Sequence, residues 1–192
     1  MNEKFMFAVF ACAVLLAVPA SANLLTNGDF EQPFSVGWHQ DTIDDGGVVT
    51  FERTDTLGQP TPGYAARIYK YWSLYASLNQ TVDVPSADLE LSLDGRLTIG
   101  GISATCWPVA AFVVSYLNDA GRELGSTMLI ARDQYCEWNE SDTLNFIDVT
   151  SPGDWVDYDL DIAQEIADNL PGVNADDVRK VRVELYTYVN GT

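Results

Sequence analysis

Basic residues are scarce in this chain. Its 192 residues include 10 lysines and arginines against 28 aspartates and glutamates, a formal net charge of −18. A surface of this sign repels phosphate backbones, so we do not expect nucleic acid as a partner. It also disfavours anionic membranes and polyanionic glycans, whereas neutral sugars and cations remain compatible. The alternative is that the acidity simply keeps the protein soluble.

Catalytic signatures are also missing. The chain has a single histidine, His39, and it contains no HExxH, GxSxG or P-loop pattern. A serine or cysteine nucleophile would need His39 as its base, and no motif supports that pairing. Two carboxylates can cleave a glycosidic bond, but among so many acids no particular pair is informative. We therefore expect a non-catalytic protein and keep glycoside hydrolase as the less favoured alternative.

Only one long apolar run occurs, at residues 5–18. Lys4 precedes this run, and the small-x-small tripeptide Ala20-Ser21-Ala22 follows it, which is typical of a cleavable signal peptide. The run is too short for a membrane span. The sequence thus predicts a signal peptide over residues 1–22 and a secreted or extracellular, monomeric protein. Residues 23–192 are long enough for one domain with a substantial core.

Two of the three cysteines, Cys106 and Cys136, lie after the predicted cleavage point. Residues 110–117 and 122–130 have the pattern of a hairpin around the turn at residues 118–121. The two cysteines are about equally far from that turn, so they should meet across its open end. Export permits a disulfide there, which would stabilise the fold by roughly 2–4 kcal/mol. The absence of a CxxC motif disfavours a metal or redox role.

Period-two alternation of apolar and polar residues dominates the chain, with Gly, Pro, Asn and Asp between the alternating segments. Helical character is limited to residues 163–169 and a short turn that Asn174 caps. Many short strands at this spacing predict an all-β fold, a two-sheet antiparallel β-sandwich or jelly roll with a short helical insertion near the C-terminus. The predicted strands are a first strand within residues 23–38, then residues 49–53, 64–72, 78–84, 89–93, 110–117, 122–130, 154–162 and 180–189.

Three segments resemble a known family. NLLTNGDFE at residues 23–31, followed by Gly37-Trp38, is similar to the opening of carbohydrate-binding modules in the galactose-binding-like jelly-roll superfamily. LNQTVDVPSADLELSLDGR at residues 78–96 resembles a strand pair of that family. AAFVVSYLNDAGRELGS at residues 110–126 resembles its central strand and turn. The xylan- and glucan-binding modules of secreted glycosidases are the nearest type.

The resemblance implies a structural Ca²⁺ that ties the first strand to the last. Its N-terminal motif places Glu31, and after it Asp29, among the ligands. A hard cation of this kind takes several carboxylate and carbonyl oxygens. The alternative is that both are ordinary turn and surface acids. The family pattern closes with a further strand beyond Thr192, so the sequence is expected to be either a fragment or a sandwich lacking its last strand.

Sugar binding, which the resemblance also implies, depends on flat aromatic rings flanked by hydrogen-bonding groups. We expect a secreted carbohydrate-binding domain that recognises a neutral polysaccharide or oligosaccharide. Two alternatives remain open, namely core positions for these aromatic rings and an adhesion or structural domain without a sugar ligand. The predicted ligand-binding residues are Tyr71, Trp72, Tyr75, Trp107 and Trp138, with Arg67 and Gln80 as polar partners.

Overall fold

The computed structural model describes residues 23–43, 46–58, 63–101 and 105–190, and the predicted signal peptide lies outside them. Within these residues no helix is both long and apolar enough to cross a membrane. The described elements are strands β1 (His39–Ile43), β2 (Val48–Thr54), β3 (Ala65–Tyr71), β4 (Tyr75–Asp83), β5 (Glu90–Gly95), β6 (Pro108–Leu117), β7 (Glu123–Arg132), β8 (Leu144–Asp148), β9 (Val156–Asp161) and β10 (Lys180–Val189), helix α1 (Ile162–Asn169) and a 3-10 turn at Ala175–Asp177.

Six strands form the larger sheet, in the order β1-β4-β10-β6-β7-β8. All neighbours are antiparallel except β7 and β8, which run parallel. The last described strand, β10, lies at the centre of the sheet, between β4 and β6. The sequence did not predict β8, because this five-residue strand is partly buried on both faces and so lacks a clear alternation.

The remaining strands form two separate antiparallel pairs, β2–β3 and β5–β9, and the β5–β9 pair packs on the six-stranded sheet as a second layer. Alternation in β9 places Tyr158 and Leu160 toward the six-stranded sheet, where they pack with Phe112 and Val114 of β6. Asp157 and Asp159 point outward, as the sequence predicts. Leu160 and Val114 are buried, and full burial of such an aliphatic side chain stabilises a fold by about 1.5–3 kcal/mol. The structure thus confirms the all-β sandwich.

The predicted helical insertion is confirmed as α1. Asp161 caps the helix, because its carboxylate accepts the Gln164 amide at 2.9 Å. Ile162 and Ile166 are buried on the side that faces the main core. The helix ends at Leu170, which is fully buried.

The carboxylate of Glu165 is buried on the side of α1 that faces the sheet. Its Oε1 accepts hydrogen bonds from the Thr127 hydroxyl at 2.8 Å and the Asn145 amide at 2.7 Å. Its Oε2 accepts the Asn169 amide at 2.7 Å. These three donors belong to β7, β8 and α1, so a single side chain ties the helix to the edge of the large sheet.

The prediction of a first strand within residues 23–38 is wrong. This segment is a series of turns, with Asn27 and Phe30 at φ of 53° and 56°. Asparagine tolerates this left-handed backbone and bonds to nearby main chain, and the Asn27 amide does so by donating to the Gln32 carbonyl and accepting the Gln32 N–H. The Trp38 indole closes the loop with a 3.0 Å bond to the Asn27 carbonyl. The first described strand is therefore β1.

Candidate functional site

One face of the six-stranded sheet does not carry the second layer, and we call it the open face. Register aligns one row of its residues across all six strands. Since adjacent strands lie about 4.8 Å apart, the row extends over roughly 24 Å. Its members, from β1 to β8, are His39, Asn79, Glu184, Val113, Met128 and Phe146.

A groove follows this row from His39 to Met128. It consists of two adjoining depressions of about 420 Å³ and 370 Å³, which share Arg182, Glu184 and Tyr186. The smaller depression lies over β1, β4 and β10, and the larger over β10, β6, β7 and β8. The smaller is also lined by His39, Asp41, Tyr75 and Asn79, and the larger by Val113, Ser115, Glu123, Ser126, Met128, Trp138, Asn139 and Leu144.

Aromatic rings form a continuous series along the groove. Tyr75 contacts Tyr186 with ring centroids 5.5 Å apart, and Tyr186 contacts Trp138 at 6.2 Å. Trp138 continues to Tyr188 at 5.0 Å, and Tyr188 to Trp107 at 5.7 Å. Trp107 is buried and forms the base of the series, whereas the other four rings are partly exposed. The groove therefore has an aromatic side over β4 and β10 that ends at Trp138.

Glu184 lies at the centre of the groove and is only 7% exposed. Burial raises the pKa of its carboxyl, and the negative charges of Glu123 and Asp41 raise it further. A hydrogen bond with Ser77 and the charge of Arg182 oppose these effects on the pKa. A buried acceptor in an open groove is well placed to receive a hydrogen bond from a ligand hydroxyl.

Arg182 adds a donor beside this acceptor. Its Nη2 donates to Glu123 at 2.9 Å and to the Ser115 hydroxyl at 3.2 Å. Its Nε lies 3.6 Å from the Glu184 carboxylate and is buried without a hydrogen-bond partner in the part of the chain that the structure describes. The guanidinium of Arg182 is thereby held between the carboxylates of Glu123 and Glu184 at the centre of the groove.

The smaller depression has its own polar network. The Tyr75 hydroxyl bonds to Ser77 Oγ at 3.0 Å and donates to Asp41 at 3.3 Å. The Asn79 amide donates to Ser77 Oγ at 3.3 Å. Burial is the main cause of the raised pKa of the Tyr75 and Tyr186 hydroxyls. Both phenols therefore stay protonated at neutral pH and can donate as well as accept.

The predicted site residues fall into three groups in the structure. Tyr75 and Trp138 line the groove, with Trp107 buried behind them. A second group, Arg67, Tyr71 and Trp72, lies on or directly after β3, which is not part of the six-stranded sheet.

Gln80 is on the opposite, inner face of β4. Its amide accepts from the Thr26 N–H at 2.7 Å and donates to the Thr26 carbonyl at 2.9 Å, so it holds the N-terminal loop.

Sequence reasoning missed several groove residues, namely Asp41, Arg182, Glu184 and Tyr186. Alternation along β10 points Tyr186 and Tyr188 outward, and both lie on the open face. That outward direction could have pointed to the groove, because two tyrosines on the outward face of one strand indicate a binding surface. Their neighbours on β1 and β4 follow only from the strand order.

The structure shows the surroundings of Asp29 and Glu31, the two residues predicted to bind calcium. Asp29 accepts the Glu31 amide, and the carbonyls of Phe30 and Glu31 each accept from Arg53 at 3.2 Å. Within the described residues there is no group of three or more histidines, cysteines, aspartates or glutamates that could hold a metal ion. Calcium binding therefore stays a prediction from the resemblance alone.

The structure contains no disulfide bond between Cys106 and Cys136, so their pairing also stays a prediction. The segments that contain the two cysteines lie close together. Trp107, next to Cys106, contacts Trp138, two residues after Cys136, with ring centroids 5.9 Å apart. We expect protein purified from an oxidising compartment to resist alkylation at both positions until it is reduced, as measured by mass spectrometry. Alkylation of both thiols in the native, unreduced protein would rule the bond out.

Comparisons with known proteins add the following. No protein-family model matches the chain, and no curated protein sequence matches it. Among solved structures, it is similar to the enzymatically active domain of tailspike protein 4 of bacteriophage CBA120, with 14% identity, a TM-score of 0.47 and 86% of this chain covered. The chain spans 19% of that tailspike chain.

Two solved structures of a Clostridium thermocellum family 11 carbohydrate-binding module are also similar. One, from a cellulosomal cellulase, has 12% identity and a TM-score of 0.40, with 88% of this chain and 91% of that one covered. The other, in complex with a β-1,3-1,4-mixed-linked tetrasaccharide, has 11% identity and a TM-score of 0.39, with 85% and 89% covered. At this level of similarity neither ligand nor reaction transfers, and the proposal below depends on the chain's own residues.

Proposed function

We propose that this chain is a non-catalytic domain that binds a neutral polysaccharide in the groove of the open face. The observation that carries the proposal is the unbroken series of partly exposed rings, Tyr75, Tyr186, Trp138 and Tyr188, beside the polar pair Glu184 and Arg182. Pyranose rings present apolar faces and a rim of hydroxyls, so they need aromatic surfaces flanked by donors and acceptors.

Charge favours a neutral ligand. Three carboxylates line the groove, those of Asp41, Glu123 and Glu184. Among the described residues that line it, one is a lysine or arginine, namely Arg182. Since Arg182 pairs with Glu123 and lies beside Glu184, it has little positive charge to offer an anionic sugar. The net charge of −18 adds long-range repulsion against uronate-rich polymers.

The first test is native affinity electrophoresis in gels that contain soluble xylan, mixed-linkage β-glucan or mannan, with polygalacturonate as the anionic control. We expect slower migration with at least one neutral polymer and unchanged migration with polygalacturonate. Unchanged migration in all three neutral gels would reject the proposal and favour an adhesion domain without a sugar ligand.

Glycoside hydrolysis is the second candidate, because Glu184 combines a raised pKa with a second carboxylate, Asp41, in the same groove. A general acid with a raised pKa and a nearby carboxylate are the two groups that glycosidases use. Release of reducing ends from the polymers that bind would favour this candidate. Its loss in Glu184→Gln, at polymer concentrations high enough to saturate the variant, would assign the general acid.

Replacing Glu184 with glutamine should separate stability from binding. Because burial raises the pKa of Glu184, the folded protein holds this proton to higher pH than the unfolded chain. Wild-type stability should therefore fall as pH rises from the ordinary value of 4.5 through the raised one, and Glu184→Gln should lack that part of the fall. We expect a melting temperature a few degrees above wild type at pH 7.

The same variant should bind about ten-fold more weakly, since a hydrogen bond to a charged acceptor becomes one to a neutral amide. Thermal unfolding at several pH values and electrophoresis in polysaccharide gels provide the two readouts. Glu137→Gln, at an exposed position outside the groove, is the matched control and should follow wild type in both. If Glu184→Gln melts below wild type at pH 7, burial of the charged Glu184 carboxylate does not destabilise the folded protein as we expect.

A further inference from the structure

A second aromatic surface lies on the hairpin formed by β2 and β3. Val48, Tyr69, Tyr71 and Trp72 are 54%, 55%, 58% and 50% exposed, which makes them the most exposed large hydrophobic side chains among the described residues. We call these four residues the hairpin strip. Val48 lies opposite Tyr71 in the strand register, and both side chains point away from the protein. Contiguous exposed apolar surface of this kind marks an interaction site.

The strip is held rigidly at its end. Trp72 has a φ of 61°, a left-handed backbone that is costly for a bulky side chain, and its ring contacts Tyr71 edge-on at 5.7 Å. The buried Ser73 fixes this turn by donating to the Ile43 carbonyl at 3.1 Å. A Cβ at Gly47 would come within 2.2 Å of the Ser73 nitrogen, so only glycine permits this close packing. The exposed indole is thus preorganised.

The hairpin strip is distinct from the groove. β2 and β3 form their own two-stranded sheet, and no residue of either strand lines the groove. Tyr69 and Tyr71 are two residues apart on one strand, which places them about 7 Å apart on the same face. Their rings therefore project side by side from the surface, whereas the groove residues line a depression.

The charges of the hairpin narrow the choice of partner. The outward residues Glu52 and Arg67 form an ion pair with each other, so this face offers no net charge to a ligand. The protein's charge of −18 opposes close approach of a second copy and of anionic membranes. Both conditions favour a neutral partner. Exposed aromatic rings are the side chains that stack on the apolar faces of pyranose rings, so a neutral polysaccharide is the partner class that fits the strip.

We propose that the hairpin strip is a second contact surface that binds the flat face of an insoluble, neutral, β-linked polysaccharide. The groove takes a single chain, whereas the strip takes the exposed face of packed chains. The proposal rests on the proposed function only for the chemical class of ligand, because the two surfaces share no residue. The protein can then contact both the free chains and the packed surface of one material.

The test is depletion of the full chain from solution by microcrystalline cellulose, in parallel with electrophoresis in soluble β-glucan. We expect the double variant Tyr69→Ala/Tyr71→Ala to lower the partition onto cellulose about ten-fold, because two stacking rings are lost, and to leave electrophoretic retardation within about two-fold. The double variant Tyr69→Phe/Tyr71→Phe keeps both rings and should partition as wild type does. Tyr135→Ala, at an exposed tyrosine elsewhere, is the control and should change neither readout.

Three results would overturn the proposal: no depletion of the wild type, equal depletion of wild type and Tyr69→Ala/Tyr71→Ala, or a wild-type dimer in sedimentation that this variant loses. The last result would make the strip a self-association surface. Near-ultraviolet circular dichroism identical to wild type confirms that the variant is folded. Depletion without any retardation in soluble polymer would reject the groove as a sugar site while it supports the strip.

Discussion

Replacing Tyr186 with alanine is expected to weaken polysaccharide binding by about 30- to 100-fold, a loss of roughly 2–3 kcal/mol. Tyr186 lines both depressions of the groove and joins the Tyr75 ring to the Trp138 ring. Its removal therefore interrupts the aromatic series between Tyr75 and Trp138. Isothermal titration with oligosaccharides of the polymer that retards the protein in electrophoresis gives the affinity directly.

Two variants control this experiment. Tyr186→Phe keeps the ring and removes only the hydroxyl, so its affinity should stay within about five-fold of wild type. Tyr69→Ala, at an exposed position outside the groove, should bind soluble oligosaccharide as wild type does. If Tyr186→Ala binds as tightly as wild type and retains its fold, the groove is not the sugar site.

Replacing Glu165 with glutamine is expected to lower the free energy of unfolding by about 3 kcal/mol. The Glu165 carboxylate accepts three hydrogen bonds, and glutamine would direct an N–H₂ group toward donors that it cannot satisfy. The affected donors include the Thr127 hydroxyl, which also bonds to the buried Tyr116 hydroxyl at 2.9 Å. Urea denaturation followed by tryptophan fluorescence measures the loss.

The matched control is Asp168→Asn on the same helix. Asp168 is exposed and accepts one hydrogen bond, from the Gln164 amide, so its replacement should change stability by no more than about 0.5 kcal/mol. Because Glu165 lies on the core side of the sheet, sugar affinity per folded molecule should be unchanged in Glu165→Gln. An unfolding free energy equal to that of wild type would show that the buried network contributes no net stability.

Strands that carry a local pattern could be predicted from the sequence. β9 alternates tyrosine and leucine with aspartate, and its inward and outward residues are as expected. The β6–β7 hairpin is centred on Asn118 and Gly121, whose backbone bond closes the predicted turn. In these cases the information lies within a few residues, because side-chain direction in a strand follows its period of two.

The groove could not be predicted in the same way. Tyr75 and Tyr186 are in contact because β4 and β10 are neighbours in the sheet, although about 110 residues of chain separate them. No local period encodes that neighbour relation. Trp107 and Trp138 are in contact, but burial of Trp107 depends on the whole sheet. The ligand-binding aromatic residues predicted from the sequence therefore came from two separate surfaces, the groove and the hairpin strip.

The N-terminal loop shows a different limit. NLLTNGDFE has the composition of a strand followed by a turn, yet Gln80 clamps Thr26 and the Asn27 side chain organises the loop around itself. These bonds join residues far apart in sequence or use a left-handed backbone. Period-two alternation detects neither, so the segment was assigned to a strand.

Because β10 lies at the centre of the large sheet, the groove is completed only late in folding. β4 and β6 are synthesised well before residues 180–189, and until β10 inserts between them each presents an unpaired edge. Three groove residues, Arg182, Glu184 and Tyr186, arrive only with this strand. Pairing over such long sequence separations is slow, so the nascent chain depends on protection of those edges until the last described strand is in place. A molecule that binds through the groove must therefore be one in which β10 has already paired with β4 and β6.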